Sequence, residues 1–257
     1  MHFGVPVSDN RKLGEVIARA EADEELAAYM RASNVMAIDR LGYSDHGPTH
    51  IRIVSNIAMK LLRMLSDAGI KPSVVENYEL SQEDAEVIVF LASAMHDIGH
   101  AVHREYHENF SIPLALPILD RILDGLYTIE ERTIVKSEVL HAIIAHQRGI
   151  KPLTLEAGIV RVADALDMKK GRARIPFQAG EVNIHSVSAL AVEDVRIAKG
   201  EEKPIEIRII LSNSSGIFQI DEMLRKKMEG TELEKYMSVK VRVEGEQEKR
   251  IIPDFEL

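Results

Sequence analysis

The sequence has no cysteine and no tryptophan, and aromatic residues make up 5% of its 257 positions. Without cysteine there are no disulfides and no thiolate ligands, so any bound metal must be held by His, Asp or Glu. No apolar run approaches the roughly 18 to 20 residues that a membrane helix needs. The start, MHFGVPVSDNRKLGE, has neither a basic n-region nor an apolar h-region. A cytoplasmic protein with no membrane partner is therefore expected. Internal repeats and low-complexity segments are also missing. The formal net charge of -9 works against broad attraction to nucleic-acid phosphates, so sequence-specific nucleic-acid binding is not expected.

What is present points to a folded chain: 46% hydrophobic and 28% charged residues are near the averages for soluble globular proteins. The length suits one catalytic domain plus a smaller appended one. Of the ten histidines, eight fall between His46 and His146, a concentration that bulk composition does not require.

The first two thirds read as helices. Ile53, Ile57, Leu61, Met64 and Leu65 repeat at helical spacing, with Gly69 and Pro72 as the stop. Ser81, followed three residues later by Asp84, is an N-cap signal ahead of the apolar stretch Val87 to Met95. A third helix is expected from Ser111 to Leu126, bent at Pro117, and a fourth over about Glu130 to His146. A fifth starts at Thr154, with Ile159, Val162, Ala163 and Leu166 around Asp164. After about Phe177 the pattern changes to Val- and Ile-rich alternation interrupted by the amphipathic GIFQIDEMLRKKMEG, a β-β-α-β unit. The expected architecture is α+β: a mainly helical domain over 1–178 and a small α+β domain over 179–257.

The sharpest local signal is Met95-His96-Asp97-Ile98-Gly99-His100. A His beside an Asp offers a neutral nitrogen and an anionic oxygen one backbone step apart, and the carboxylate has a second oxygen free to bridge to another metal. His50 opens a helix upstream, behind the loop Tyr43 to Thr49. Asp164 lies in an apolar helix, where an uncompensated carboxylate is costly. Together these residues can form a first shell for one divalent cation.

The order His50, His96-Asp97, Asp164 resembles the H…HD…D signature of the HD superfamily of metal-dependent phosphohydrolases, and VADALD, 162–167, resembles its last motif. The resemblance covers about Asp45 to Met168 and implies a helical domain with His50, His96, Asp97 and Asp164 as metal ligands. Two-metal members of the family add histidines between the HD pair and the last Asp. That implies His107, His146 and, less directly, His141 as further ligands. Residues five apart on a helix differ by about 140°, so His141 and His146 share a metal only if the helix ends or kinks between them. The GYP signature of one branch is missing, which argues against a cyclic di-GMP substrate.

The resemblance also implies chemistry. Asp97 and His100 are the expected catalytic residues, with His100 either binding substrate or protonating the leaving oxygen. Arg104, Lys170 and Arg172 are candidates for substrate phosphate, although a basic run is usually just a charged surface. One or two divalent ions (Mn, Fe, Co, Ni or Mg) would lower the pKa of bound water toward neutrality. The expected partner is a small phosphoester, nucleotide or nucleotide-like. Two other readings keep the fold: a non-catalytic nucleotide- or metal-binding regulator, and a di-iron oxygenase. Apolar positions Ile205, Ile207, Ile209 and Leu211, with strand edges left over, suggest a homodimer or higher homo-oligomer joined through the tail. His2 and His185 have no constellation, and His46 and His103 fit either a supporting hydrogen bond or a solvated loop.

Overall fold

A computed structural model of the chain describes residues 1–170, 188–244 and, for the backbone alone, 254–256. The α+β architecture is as expected: helices first, then one small sheet. The boundary expected near 178, with Arg172, Gly180 and His185, lies outside the described residues.

The helical part contains α1 (Arg11–Ala22), α2 (Glu24–Asn34), α3 (Pro48–Asp67), α4 (Ser73–Tyr78), α5 (Gln82–Met95), α6 (His107–Ile122), α7 (Ile129–Ala145) and α8 (Leu155–Leu166). Helix α5 is the central member. Every residue from Asp84 to Met95 is buried, and α1, α3, α7 and α8 pack around it. Its start is fixed locally: the Ser81 side chain accepts from Asp84 N, and the Asp84 carboxylate accepts from Ser81 N in return. The same carboxylate accepts from Lys12 Nζ at 2.5 Å and Tyr127 Oη at 2.9 Å. Burial would raise the Asp84 pKa, but these donors outweigh it and hold the group below its usual value.

Three expectations from the sequence need correction. The buried stripe of α3 is Ile51, Val54, Ala58, Leu61, Leu62 and Leu65, while Ile53 is exposed, so the stripe is turned by about one residue from the one expected. Helix α6 starts at His107 rather than Ser111, just after Tyr106 in a left-handed conformation, and it runs through both Pro113 and Pro117. The tail carries one strand more than expected.

That tail has β1 (Val192–Lys199), β2 (Ile205–Leu211), a helical run α9 (216–228), β3 (Met237–Val243) and a short β4 (Asp254–Glu256). The strands lie in the order β1-β2-β3-β4, with β2 and β3 parallel and the outer pairs antiparallel. The parallel pair requires a crossover, which α9 supplies. Ile205, Ile207, Ile209 and Leu211 share a buried face with Met237, Val239, Val241 and Val243. Ile220, Leu224 and Met228 of α9 belong to the same hydrophobic core. The core is continuous with the helical part. Residues of α9 and the turn Glu232–Lys235 pack on α8, and Lys60 of α3 donates to the Ile197 carbonyl at 2.7 Å. At Gly158 in α8, a Cβ would sit 3.6 Å from the Leu233 side chain.

Candidate metal centre

Five segments converge on one buried cluster. Asp45 sets up the first: its Oδ1 accepts from Gly47 N at 3.0 Å and His50 N at 3.2 Å, which anchors the start of α3 and aims His50 inward. His96 and Asp97 follow the last turn of α5, where Ile98–Ala101 tightens into a 3-10 turn. Ser111 on α6 ties that turn down, accepting from Gly99 N and donating to the His96 carbonyl, both at 2.8 Å. His107 opens α6, His146 closes α7 as its C-cap, and Asp164 comes from α8.

Each key histidine is oriented from behind. The Nδ1 atoms of His96, His107 and His146 lie 2.9, 2.9 and 2.5 Å from the carbonyls of Ser93, Arg104 and Ile143. His50 Nδ1 lies 2.6 Å from Asp167 Oδ2. Carbonyls and carboxylates only accept, so every Nδ1 donates and every Nε2 of the neutral ring turns a lone pair toward the cluster.

The Nε2 atoms of His50 and His96 are 3.3 Å apart, and those of His107 and His146 are 3.2 Å apart. Asp97 stands between the two pairs. Its Oδ2 is 3.3 and 3.4 Å from His50 and His96, and its Oδ1 is 3.2 and 3.6 Å from His107 and His146. Asp164 Oδ1 joins the first pair, 3.3 Å from His50 Nε2 and 3.8 Å from His96 Nε2. Bare lone pairs this close repel one another unless a cation lies among them. Bonds of about 2.1 Å separate neighbouring ligand atoms by roughly 3.0 Å in an octahedron and roughly 3.4 Å in a tetrahedron, so the spacings suit a divalent ion. Asp97 Oδ2 is buried without a hydrogen-bond partner, which a cation would supply. The residues fit the group, with His50, His96 and Asp97 able to hold one ion, Asp164 Oδ1 close beside them, and Asp97, His107 and His146 able to hold a second.

Charge follows from this geometry. Burial alone would raise the Asp97 pKa, but His96 and His100, with bonds from His107 and His146, hold it well below the usual carboxylate range. Burial would likewise lower His107, but the bond and charge of Asp97 raise it. Protons therefore compete with a cation at the second position. Burial pushes His100 down to about 3, with Asp97 opposing.

The remaining expected residues separate clearly. His100 lines the cluster, its Nε2 3.7 Å from Asp97 Oδ1 and its ring stacked on His107 at 3.9 Å. Its Nδ1 is buried with no hydrogen-bond partner. The structure does not bring His141 in. Helix α7 ends before His146, and His141 Nε2 instead accepts from Leu153 N at 3.0 Å. Arg104 lies over the Tyr43 ring at 4.1 Å, and Lys170 pairs with Glu193 of the tail. His46 packs against His100 with ring centres 4.5 Å apart, while His103 takes an N–H from Glu105 in the exposed loop.

Two residues with no role assigned from the sequence emerge here. Asp167 holds His50, and its signal was its position in VADALD, three residues after Asp164. Lys227 of α9 donates to Asp164 Oδ2, and nothing local in the sequence marks it. Asp167→Ala is expected to weaken metal binding about 10- to 100-fold, the usual effect of removing a group that orients a ligand. Calorimetric metal titration checks this, and an affinity within twofold of the parent would refute it.

The HD domain family profile matches residues 49–169. An uncharacterized protein of Methanocaldococcus jannaschii is 48% identical over 224 residues, covering 87% of this chain and 86% of that protein. The chain belongs to the HD superfamily. Ribonuclease Y of Opitutus terrae is 24% identical over 244 residues, covering 91% of this chain but 44% of that protein. No solved structure matches. The family includes metal-dependent phosphohydrolases, and the His/Asp cluster of this HD domain is able to bind a metal ion. Among the described residues no helix is long and apolar enough to cross a membrane.

Proposed function

We propose that the chain is a metal-dependent phosphohydrolase that cleaves a phosphoester of a nucleotide or nucleotide-like substrate. The observation that carries this reading is Asp97, which turns one oxygen to each of two histidine pairs. A carboxylate shared in this way favours two ions close together, an arrangement suited to phosphoryl chemistry. Divalent ions supply the Lewis acidity that makes water a nucleophile near neutral pH.

The chain's own groups do the rest. His50, His96, His107 and His146 are locked in one tautomer from behind, so little reorganisation is needed on binding. His100, neutral at a pKa of about 3, is suited to a hydrogen bond with a phosphate oxygen and poorly suited to protonating the leaving group. Arg104 lies on the loop beside the cluster and is a candidate for substrate binding. Lys170 is paired with Glu193, which weakens its case.

The name of the Opitutus relative favours a phosphodiester, while the net charge of -9 disfavours a long polyanion. Nucleotides and short oligonucleotides satisfy both. Buried carboxylates and histidines with their ligand atoms in register also count against a non-catalytic regulator. The homo-oligomer stays a proposal that rests on the strand edges, because the sheet's apolar face is covered within the chain, and solution mass decides it.

The test is turnover of nucleotides, cyclic nucleotides, short oligonucleotides and generic phosphoesters by metal-stripped protein reloaded with Mn, Fe, Co, Ni or Mg one at a time. Metal-dependent release of phosphate or a nucleotide is expected. Oxygen-dependent turnover with iron alone would overturn the proposal in favour of an oxygenase.

A further inference from the structure

The basic residues of α9 do not all behave alike. Arg225 and Lys226 are well exposed and pair with carboxylates four residues away on their own segment. Lys227 turns the other way. Its side chain is 11% exposed and its ammonium pairs with Asp164, which is 63 residues away in sequence and whose other oxygen faces His50 and His96.

The placement is rigid. Arg161, buried in α8, donates to the Ile150 carbonyl at 2.6 Å and to the Lys226 carbonyl at 3.4 Å. Two residues on, the Met228 carbonyl accepts from Thr231 Oγ1 at 2.7 Å, and Leu224 and Met228 are in the core. Lys227 is thus delivered to the centre by packed structure on both sides.

A positive charge beside a cation-binding carboxylate needs an explanation. If the only task were to orient Asp164, a neutral amide donor would do it without repelling the ion. An ammonium also has three N–H donors, one of which goes to Asp164. Among the described residues no second acceptor meets it. Two donors are left beside the cluster, where a substrate phosphate held by the cations would present its oxygens.

We infer that Lys227 is a substrate-binding residue that anchors a phosphate oxygen, with Asp164 fixing its ammonium next to the first cation position. The inference rests on the phosphohydrolase reading above. It makes the C-terminal unit part of the active site and not only an appendage to it. Lys227 supplies charge and hydrogen bonds to an anion, and no bond to it is made or broken.

Binding of inorganic phosphate to the metal-loaded full chain, measured by calorimetry together with elemental analysis of bound metal, tests this. Lys227→Met and Lys227→Gln are expected to keep the parent's metal content while phosphate affinity falls on the order of 10- to 100-fold, the scale of one charge-assisted hydrogen bond. Lys227→Arg should recover most of that loss, and Lys226→Met should bind phosphate like the parent. Phosphate binding within twofold of the parent in Lys227→Met or Lys227→Gln overturns the inference. So does a loss of phosphate affinity that tracks a loss of metal, since Lys227 would then act only through Asp164. If the unsubstituted protein loads metal yet binds no phosphate, the phosphohydrolase reading itself fails. That result is recognisable because it precedes any substitution, and the anchor falls with it.

Discussion

Asp97→Ala is expected to abolish metal-dependent phosphohydrolysis, by about 1000-fold or more, and to remove bound metal from both positions. Each Asp97 oxygen faces a different histidine pair, so one substitution takes an anionic ligand from each. Losing several kcal/mol of cation-assisted stabilisation corresponds to that factor, at about 1.4 kcal/mol per tenfold. Stability carries a second signature. In the metal-free protein the surrounding histidines hold Asp97 well below the usual carboxylate range, so removing its charge should cost some stability at neutral pH. What disappears is the rise in thermal midpoint on adding Mn, because only a bound ligand stabilises the native state by mass action. Thermal scans with and without metal, beside elemental analysis, check both parts. Retention of two ions per chain by Asp97→Ala would defeat the bridging assignment.

Gly99→Ala should be the most damaging conservative substitution in the motif. A Cβ at Gly99 would fall inside van der Waals contact of the His107 carbonyl oxygen and 2.6 Å from Ser111 N. Both obstacles are backbone of α6, so no side-chain rotation relieves them and the helix start must move. Overpacking typically costs about 1 to 3 kcal/mol, and we expect about 3 kcal/mol or more here because backbone must shift. For a chain of this size that is roughly 6 to 12 °C in thermal midpoint. The displacement also has a functional signature. His107 opens α6, so the second cation position should fail before the first, and metal content under saturation should fall toward one ion per chain. A midpoint within about 2 °C of the parent with unchanged metal content would contradict this reading.

Much of the fold was legible because its signals are local. Ser81 and Asp84 form the expected capping box, Thr154 caps α8, and the alternation from Ile205 to Leu211 is the buried face of β2. Where sequence pattern and structure differ, the deciding partner is distant. Ile53 and Ile57 point to one face of α3, but its buried side is chosen by α5 and α8 packing against it. Pro113, tolerated in a first turn, points to a start of α6 at Ser111. Ser111 instead sits one turn inside the helix, bonded to Gly99 and His96. The roughly 140° between His141 and His146 on a helix already favours only one of them at a metal, and the structure turns His146 to His107 and His141 to Leu153 N.

By itself the sequence determined the ligand chemistry: with no cysteine, a clustered set of histidines and the motif His96-Asp97, a metal site of nitrogen and oxygen ligands was the available choice. It also determined the capped helix starts at Ser81 and Thr154 and the strand alternation, since capping and periodicity act within a few residues. Only the tertiary structure decided which lone pairs meet, that Asp97 faces two ways, that Asp167 aligns His50 across 117 residues, and that Lys227 enters the centre from the tail. Such contacts are set by how packed helices bring distant residues together, and chain spacing carries no record of that.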